Sequence, residues 1–244
     1  MPLFYCIPFY RTMSNPGAAA LIIPALNEEP VIGQLLASIP PELFRLVVVA
    51  DNGSSDRTPE IARAAGALVT IEPERGYGAT CLRAIASLPD SIEAVVFLQA
   101  DCSEDPSEAR DLLAPIWEGR ADLVIGSRTL GTVAKGSLLA HQKWGNHLLI
   151  WMIGILFGHW YTDLGPFRAI RLDALQSLNM RDRNYGWTVE MQVKAIRRRL
   201  RVLEVPVDYS LRAAGENKVS GNLWISMKAG CKMIGLTLKL ALWR

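Results

Sequence analysis

Leu46-Val47-Val48-Val49-Ala50-Asp51-Asn52-Gly53-Ser54-Ser55-Asp56-Arg57-Thr58 decides the fold. Its first five residues are apolar and mostly β-branched, too few for an ordinary helix and suited to a strand buried on both faces. The run stops at an acid followed by Asn, Gly and Ser, which is the chemistry of a tight turn. From Arg57 to Ala65 a helical pattern takes over. Strand, polar turn and helix make up half of a βαβ unit.

The same pattern repeats on either side. Ala19 to Pro24, Ala67 to Ile71, Ala94 to Leu98 and Asp122 to Gly126 read as strands, with helix-like segments at Glu29 to Ser38, Tyr77 to Leu88 and Pro106 to Glu118. Alternating apolar strands and helices predict an α/β fold, a Rossmann-like and mostly parallel central sheet flanked by helices. In such sheets ligands sit beyond the carboxyl ends of the strands. The polar clusters at four of those ends are Asn27-Glu28-Glu29, Asp51 to Asp56, Gln99-Ala100-Asp101 and Ser127-Arg128. A lone cluster would be a helix N-cap, the expected role of Ser54, Ser55, Asp56 and Asp105; four on one rim predict a site.

After Gly131 the chain changes character. A flexible, basic segment from Thr132 to Gly136 leads into an apolar helical stretch ending at Trp160, then a helix from Trp187 to Arg199, a strand from Val202 to Val207 and a tail helix. The expected division is a leader over 1–18, one domain over 19–221 with a mobile loop and apolar interface helix at 132–161, and an amphipathic basic tail over 222–244.

Half of the 244 residues are hydrophobic, enough for a sizeable core, and the formal net charge is +2, too balanced for a general nucleic-acid binder. That balance conceals an asymmetry: residues 217–244 carry five basic residues and no acid, which leaves −3 on the first 216. Four scattered cysteines form no CxxC pair, which argues against a zinc site or a disulfide framework and for a reducing compartment. The N-terminus lacks the pattern of a signal peptide, and the uncharged stretch from Leu148 to Gly158 is much shorter than the ~20 residues that span a bilayer.

Ile23-Pro24-Ala25-Leu26-Asn27-Glu28, Asp51 to Thr58, Gly76-Tyr77-Gly78-Ala79, Gln99-Ala100-Asp101, Gly126-Ser127-Arg128 and Asp163 to Ile170, taken in this order, resemble the family 2 glycosyltransferases of the GT-A fold. The nearest branch is the dolichol- or polyprenyl-phosphate sugar synthases. The resemblance implies an inverting transfer of a hexose from a nucleoside diphosphate sugar, of the UDP-glucose or GDP-mannose type, to a membrane polyprenyl phosphate, dolichyl or undecaprenyl. It places Pro24, Asn27, Glu28, Asp51, Gly53, Gly76, Gly78, Ala100, Asp101 and Arg128 beside the nucleotide sugar. Gln99 and Asp101 would hold Mg²⁺ or Mn²⁺, and Arg128, Arg212 and Lys218 would bind phosphates. Asp101, Asp163, Arg168 and Glu190 fall where the family has acceptor-site and catalytic groups.

The residues bear on these assignments in different ways. Gly76-Tyr77-Gly78 opens a helix with bare backbone that a ligand can approach; as a dinucleotide fingerprint it fails, because Cys81 stands at the third glycine position. Gln99 departs from the family's Asp-x-Asp, so Asp101 supplies the single anionic ligand, with Ser103 or Asp105 in reach to assist. Arg168 suits a planar fork on phosphate oxygens, and Glu190 is either a functional acid or a salt-bridged structural one.

The second half bears on the acceptor. Trp144, Trp151, Trp160 and Tyr161 bracket the apolar stretch, and Lys228, Lys232 and Lys239 lie within about 40° of one another on a helix, which predicts an interfacial anchor or a subunit interface in a homo-oligomer. A cytoplasmic enzyme peripheral to the inner membrane face is expected. The alternatives are a soluble sugar or glycerol hydroxyl acceptor, and an inactive lipid-binding module, for which Gln99 speaks.

Overall fold

Strand β1 (Ala19–Ala25) is an interior strand of a seven-stranded sheet of order β3-β2-β1-β4-β6-β5-β7. The computed structural model describes residues 18–213 and 223–242. The other strands are β2 (Leu46–Asp51), β3 (Leu68–Ile71), β4 (Ala94–Phe97), β5 (Leu123–Ser127), β6 (Arg168–Arg171) and β7 (Val202–Pro206). All neighbours pair in parallel except β6, which runs antiparallel to both β4 and β5. Alternation along β1 divides the core into two layers. Ala20 and Ile22 face a cluster with Phe97, Leu149, Ile153 and Trp187, while Leu21 and Ile23 face one with Ile32, Leu35, Leu112 and Phe167.

The helices are α1 (Glu29–Ser38), α2 (Thr58–Ala64), α3 (Tyr77–Ile85), α4 (Ala109–Trp117), α5 (Ala140–Phe157), α6 (Leu172–Leu178), α7 (Trp187–Arg197) and α8 (Leu223–Leu242). Helix α5 stops at Gly158, whose φ of 72° is the left-handed cap geometry that glycine adopts without strain. Two elements, β6 and α6, are absent from the sequence-based expectation. Strand β6 is only four residues, Arg-Ala-Ile-Arg, and passes into α6 with no turn residue between; pairing on both edges holds it extended.

The start of the segment expected to be a mobile loop is tied down by hydrogen bonds, Tyr209 N–H to Thr132 O at 2.8 Å and Ala134 N–H to Tyr209 O at 2.9 Å. Helix α8 packs on α5 and α7. No helix among the described residues is long and apolar enough to cross a membrane.

Candidate active site

The carboxyl ends of β1, β2, β4 and β5 and the approach to β6 form one rim. At the first two ends the loops are laced together. Asn27, at φ 49°, donates its N–H to Ser54 Oγ and accepts from Ser55 N–H, both at 2.8 Å, while Glu28 N–H donates to Thr58 Oγ1 at 2.8 Å. Asp51 accepts the N–H groups of Gly53 at 3.0 Å and Ser54 at 3.1 Å. Asp51 therefore shapes the turn in which Gly53 stands at φ 74°, with open space where a side chain would be. Pro24 immediately precedes this loop, in register with Ala50. Asp56, expected to cap α2, stands one residue before its N-cap Arg57 and accepts from Thr58 N–H and Oγ1 at 3.0 and 2.6 Å; Ser54, also expected to cap, bonds Asn27 instead.

The β4 end carries Gln99, Ala100 and Asp101. Asp101 is buried; its Oδ1 accepts the Ser103 N–H at 3.0 Å and hydroxyl at 2.5 Å, and its Oδ2 faces Arg212 at 2.8 Å. Arg212 also lies 3.6 Å from Glu28. Asp105 is an N-cap, accepting from Ser107 N–H at 2.8 Å. Glu104, not singled out in the sequence, is the unexpected member. It is buried, one oxygen accepts the Gln99 N–H at 3.2 Å and the other has no hydrogen-bond partner. Burial first, then the charge of Asp101, pushes its carboxyl up to about 8.

These groups fit a divalent cation. Asp101, the Gln99 carbonyl oxygen and an orphaned Glu104 oxygen are the hard donors that Mg²⁺ and Mn²⁺ take. Among the described residues no three His, Cys, Asp or Glu form a metal-holding group, and a diphosphate or water would supply further ligands.

At the β5 end Arg128 and Asp163 form a fork-to-fork pair, Nε to Oδ2 at 2.7 Å and an Nη to Oδ1 at 2.8 Å, reinforced by Arg128 N–H to Oδ2 at 3.0 Å. The Tyr209 ring lies 5.2 Å from the Arg128 guanidinium carbon. Asp163 also accepts the Leu164 N–H at 2.8 Å, so its oxygens are engaged and it acts here by orienting Arg128. The pair lies at one end of a cavity of about 520 Å³ between α5 and α8, walled by Leu138, Leu149, Met233 and Ile234 and also by His141, Gln142 and His147.

Four expected site residues are engaged by other parts of the chain. Gly76 and Gly78 do not form an open cradle: a Cβ on either would overlap the backbone carbonyls of Arg183 or Asp182, and Ala79 N–H already donates to Arg183 O at 2.9 Å. The glycines admit a neighbouring chain segment. Arg168 is fully buried, its Nη atoms turned to the carbonyls of Gly165, Leu164 and Thr188 while Nε has no hydrogen-bond partner; burial lowers its pKa. Glu190 accepts the N–H groups of Arg181 at 3.0 Å and Asp182 at 2.7 Å and pairs with Lys194 at 2.6 Å. These partners place it against the turn that packs on Gly76 and Gly78. Lys218 lies outside the described residues.

The doubly wound sheet, interrupted by one antiparallel strand and carrying acids at the ends of β2 and β4, defines the GT-A class of glycosyltransferase. The sequence profile described as "Glycosyl transferase family 2" matches residues 20–178, and the chain belongs to that family. It is 35% identical over 210 residues to a glycosyltransferase of Mycobacterium bovis, covering 84% of this chain and 91% of that one. It is 31% identical to a dolichyl-phosphate hexose transferase of Haloferax volcanii (82% and 86% covered) and 28% identical to an undecaprenyl-phosphate mannosyltransferase of Micrococcus luteus (83% and 87%). A solved structure of glucosyl-3-phosphoglycerate synthase from Mycobacterium tuberculosis, in complex with Mn²⁺, UDP and phosphoglyceric acid, superposes with a TM-score of 0.73 at 21% identity, covering 92% of this chain and 78% of that one.

Proposed function

We propose that this glycosyltransferase moves a hexose from a nucleoside diphosphate sugar to a polyprenyl phosphate at the cytoplasmic face of a membrane, with inversion and with Mg²⁺ or Mn²⁺. The observation that carries the acceptor assignment is the cavity ending on Arg128 and Asp163, lined between α5 and α8 by aliphatic side chains interleaved with polar ones. A cation at a buried polar end with a partly apolar approach suits an amphiphile with an anionic head. The outer faces of the same helices support it. Trp144, Trp151 and Ile155 form an exposed stripe on α5, and Trp224, Met227, Leu238 and Leu242 one on α8. Lys228, Lys232 and Lys239 flank the second stripe, and α5 and α8 contain no acidic residue. This is the composition of a helix pair that lies on an anionic bilayer. Trp160 is exposed with them, whereas Tyr161 is buried with its hydroxyl on Gln192 O at 3.0 Å.

In the proposed reaction a lipid phosphate oxygen bonds to the anomeric carbon as the carbon–oxygen bond to the diphosphate breaks, and the nucleoside diphosphate leaves. The bound cation supplies charge neutralisation for that leaving group. Asp51 and the Gly53 turn border the nucleotide, Asp101 and Gln99 hold the cation, Arg212 faces the diphosphate, and Arg128, oriented by Asp163, takes the acceptor phosphate. A phosphate oxygen is already ionised and needs positioning, not a general base. The engagement of Asp163 and Glu190 by protein donors agrees with that.

A soluble hydroxyl acceptor is the second reading, favoured by the fold likeness to an enzyme solved with phosphoglyceric acid. Purified enzyme given labelled UDP- or GDP-hexose, Mn²⁺ and either polyprenyl phosphate in vesicles or phosphoglycerate decides between them. Label extracted into organic solvent supports the lipid acceptor, and label confined to a water-soluble glycoside rejects it.

A further inference from the structure

Arg212 stands where a cation is called for. One guanidinium nitrogen lies 2.8 Å from Asp101 Oδ2 and another 3.6 Å from Glu28. The backbone fixes it there, with Ser210 N–H donating to Ser103 O at 2.8 Å and Ala213 N–H to Asp101 O at 3.2 Å. The second Asp101 oxygen is taken by Ser103. Both oxygens of the carboxylate assigned to the metal are therefore engaged by protein donors, one of them a full positive charge. Gln99 brings no anion that would balance a second cation beside Arg212.

We propose that Arg212 is the resident counter-cation of Asp101 and couples metal binding to donor binding. Without nucleotide, the guanidinium competes with a divalent ion for Asp101. A diphosphate brings the missing negative charge, draws the Arg212 fork to its own oxygens and releases the carboxylate. Such coupling is reciprocal: nucleotide tightens metal by the same factor as metal tightens nucleotide. The inference rests on the metal-dependent donor binding proposed above.

The test is direct measurement of Mn²⁺ binding by electron paramagnetic resonance, with and without UDP, on wild type, Arg212→Gln and Arg212→Lys. For wild type, UDP is expected to tighten Mn²⁺ by about 5- to 150-fold, the ordinary range for coupled sites. Arg212→Gln is expected to bind Mn²⁺ at least about fivefold more tightly than wild type in the absence of UDP, with little further gain on adding it. Arg212→Lys keeps the charge and is expected to bind Mn²⁺ without UDP as weakly as wild type. Unchanged or weaker Mn²⁺ binding by Arg212→Gln without UDP overturns the proposal. So does equal tightening in the Lys variant, which would point to loosened structure and not to charge. Failure of wild type to bind Mn²⁺ with UDP and also with GDP in its place overturns the underlying donor-site assignment instead, which separates the two failures.

Discussion

Replacing Glu104 with Gln should change how stability depends on pH, in a direction fixed by its surroundings. The buried carboxyl titrates at about 8, against an ordinary 4.5. Between those values the folded protein holds a proton that the unfolded chain has lost, so stability falls as pH rises, by about 1.4 kcal/mol per unit for this one group. Across the whole window the loss approaches 5 kcal/mol as an order of magnitude, with about 3 kcal/mol a conservative expectation. The Glu104→Gln amide keeps the shape and an acceptor for the Gln99 N–H but cannot ionise. The assay is urea unfolding of both proteins in EDTA from pH 5 to 8.5, since a bound cation would itself hold Glu104 ionised. Taking the difference between variant and wild type cancels the titrating groups remote from this site. The variant should match wild type near pH 5 and exceed it by several kcal/mol near pH 8.5. Parallel curves would refute a buried, proton-holding Glu104.

Gly78→Ala should destabilise the protein by about 1–3 kcal/mol or more, because its Cβ meets the Asp182 carbonyl; reduced UDP affinity at unchanged melting temperature would restore a nucleotide-cradle role. Asp163→Asn leaves the largely buried Arg128 without its counter-charge and should cost about 3–5 kcal/mol in chemical denaturation, far more than an exposed ion pair such as Arg110–Glu42.

The first half of the fold was legible because its strands are buried on both faces and so carry unbroken apolar runs, each closed by a polar turn. Strand β6 lacks that signature: arginines at both ends hide a four-residue segment whose extension comes from neighbours on either edge. The rim itself was readable, since Asn27, Asp51, Asp101 and Arg128 follow strand ends that the topology aligns. What each rim residue does was less so. Gly76 and Gly78 look like a phosphate loop in sequence, but the carbonyls of residues 182 and 183 that require them lie a hundred positions away. Arg168 and Glu190 carry the residue types of a phosphate-transfer site and are held by backbone groups that no spacing rule exposes. Glu104 sits in a polar run, Cys-Ser-Glu-Asp, where nothing local distinguishes the buried acid from its solvated neighbour.

The decisive measurement is a crystal structure with UDP and Mn²⁺. The diphosphate and the ion are expected at Asp101, the uridine ribose beside Asp51 and the Gly53 turn, and the Arg212 guanidinium moved from Asp101 onto phosphate oxygens. A nucleotide bound away from this rim, or an ion that leaves the Arg212–Asp101 pair intact, would contradict that expectation.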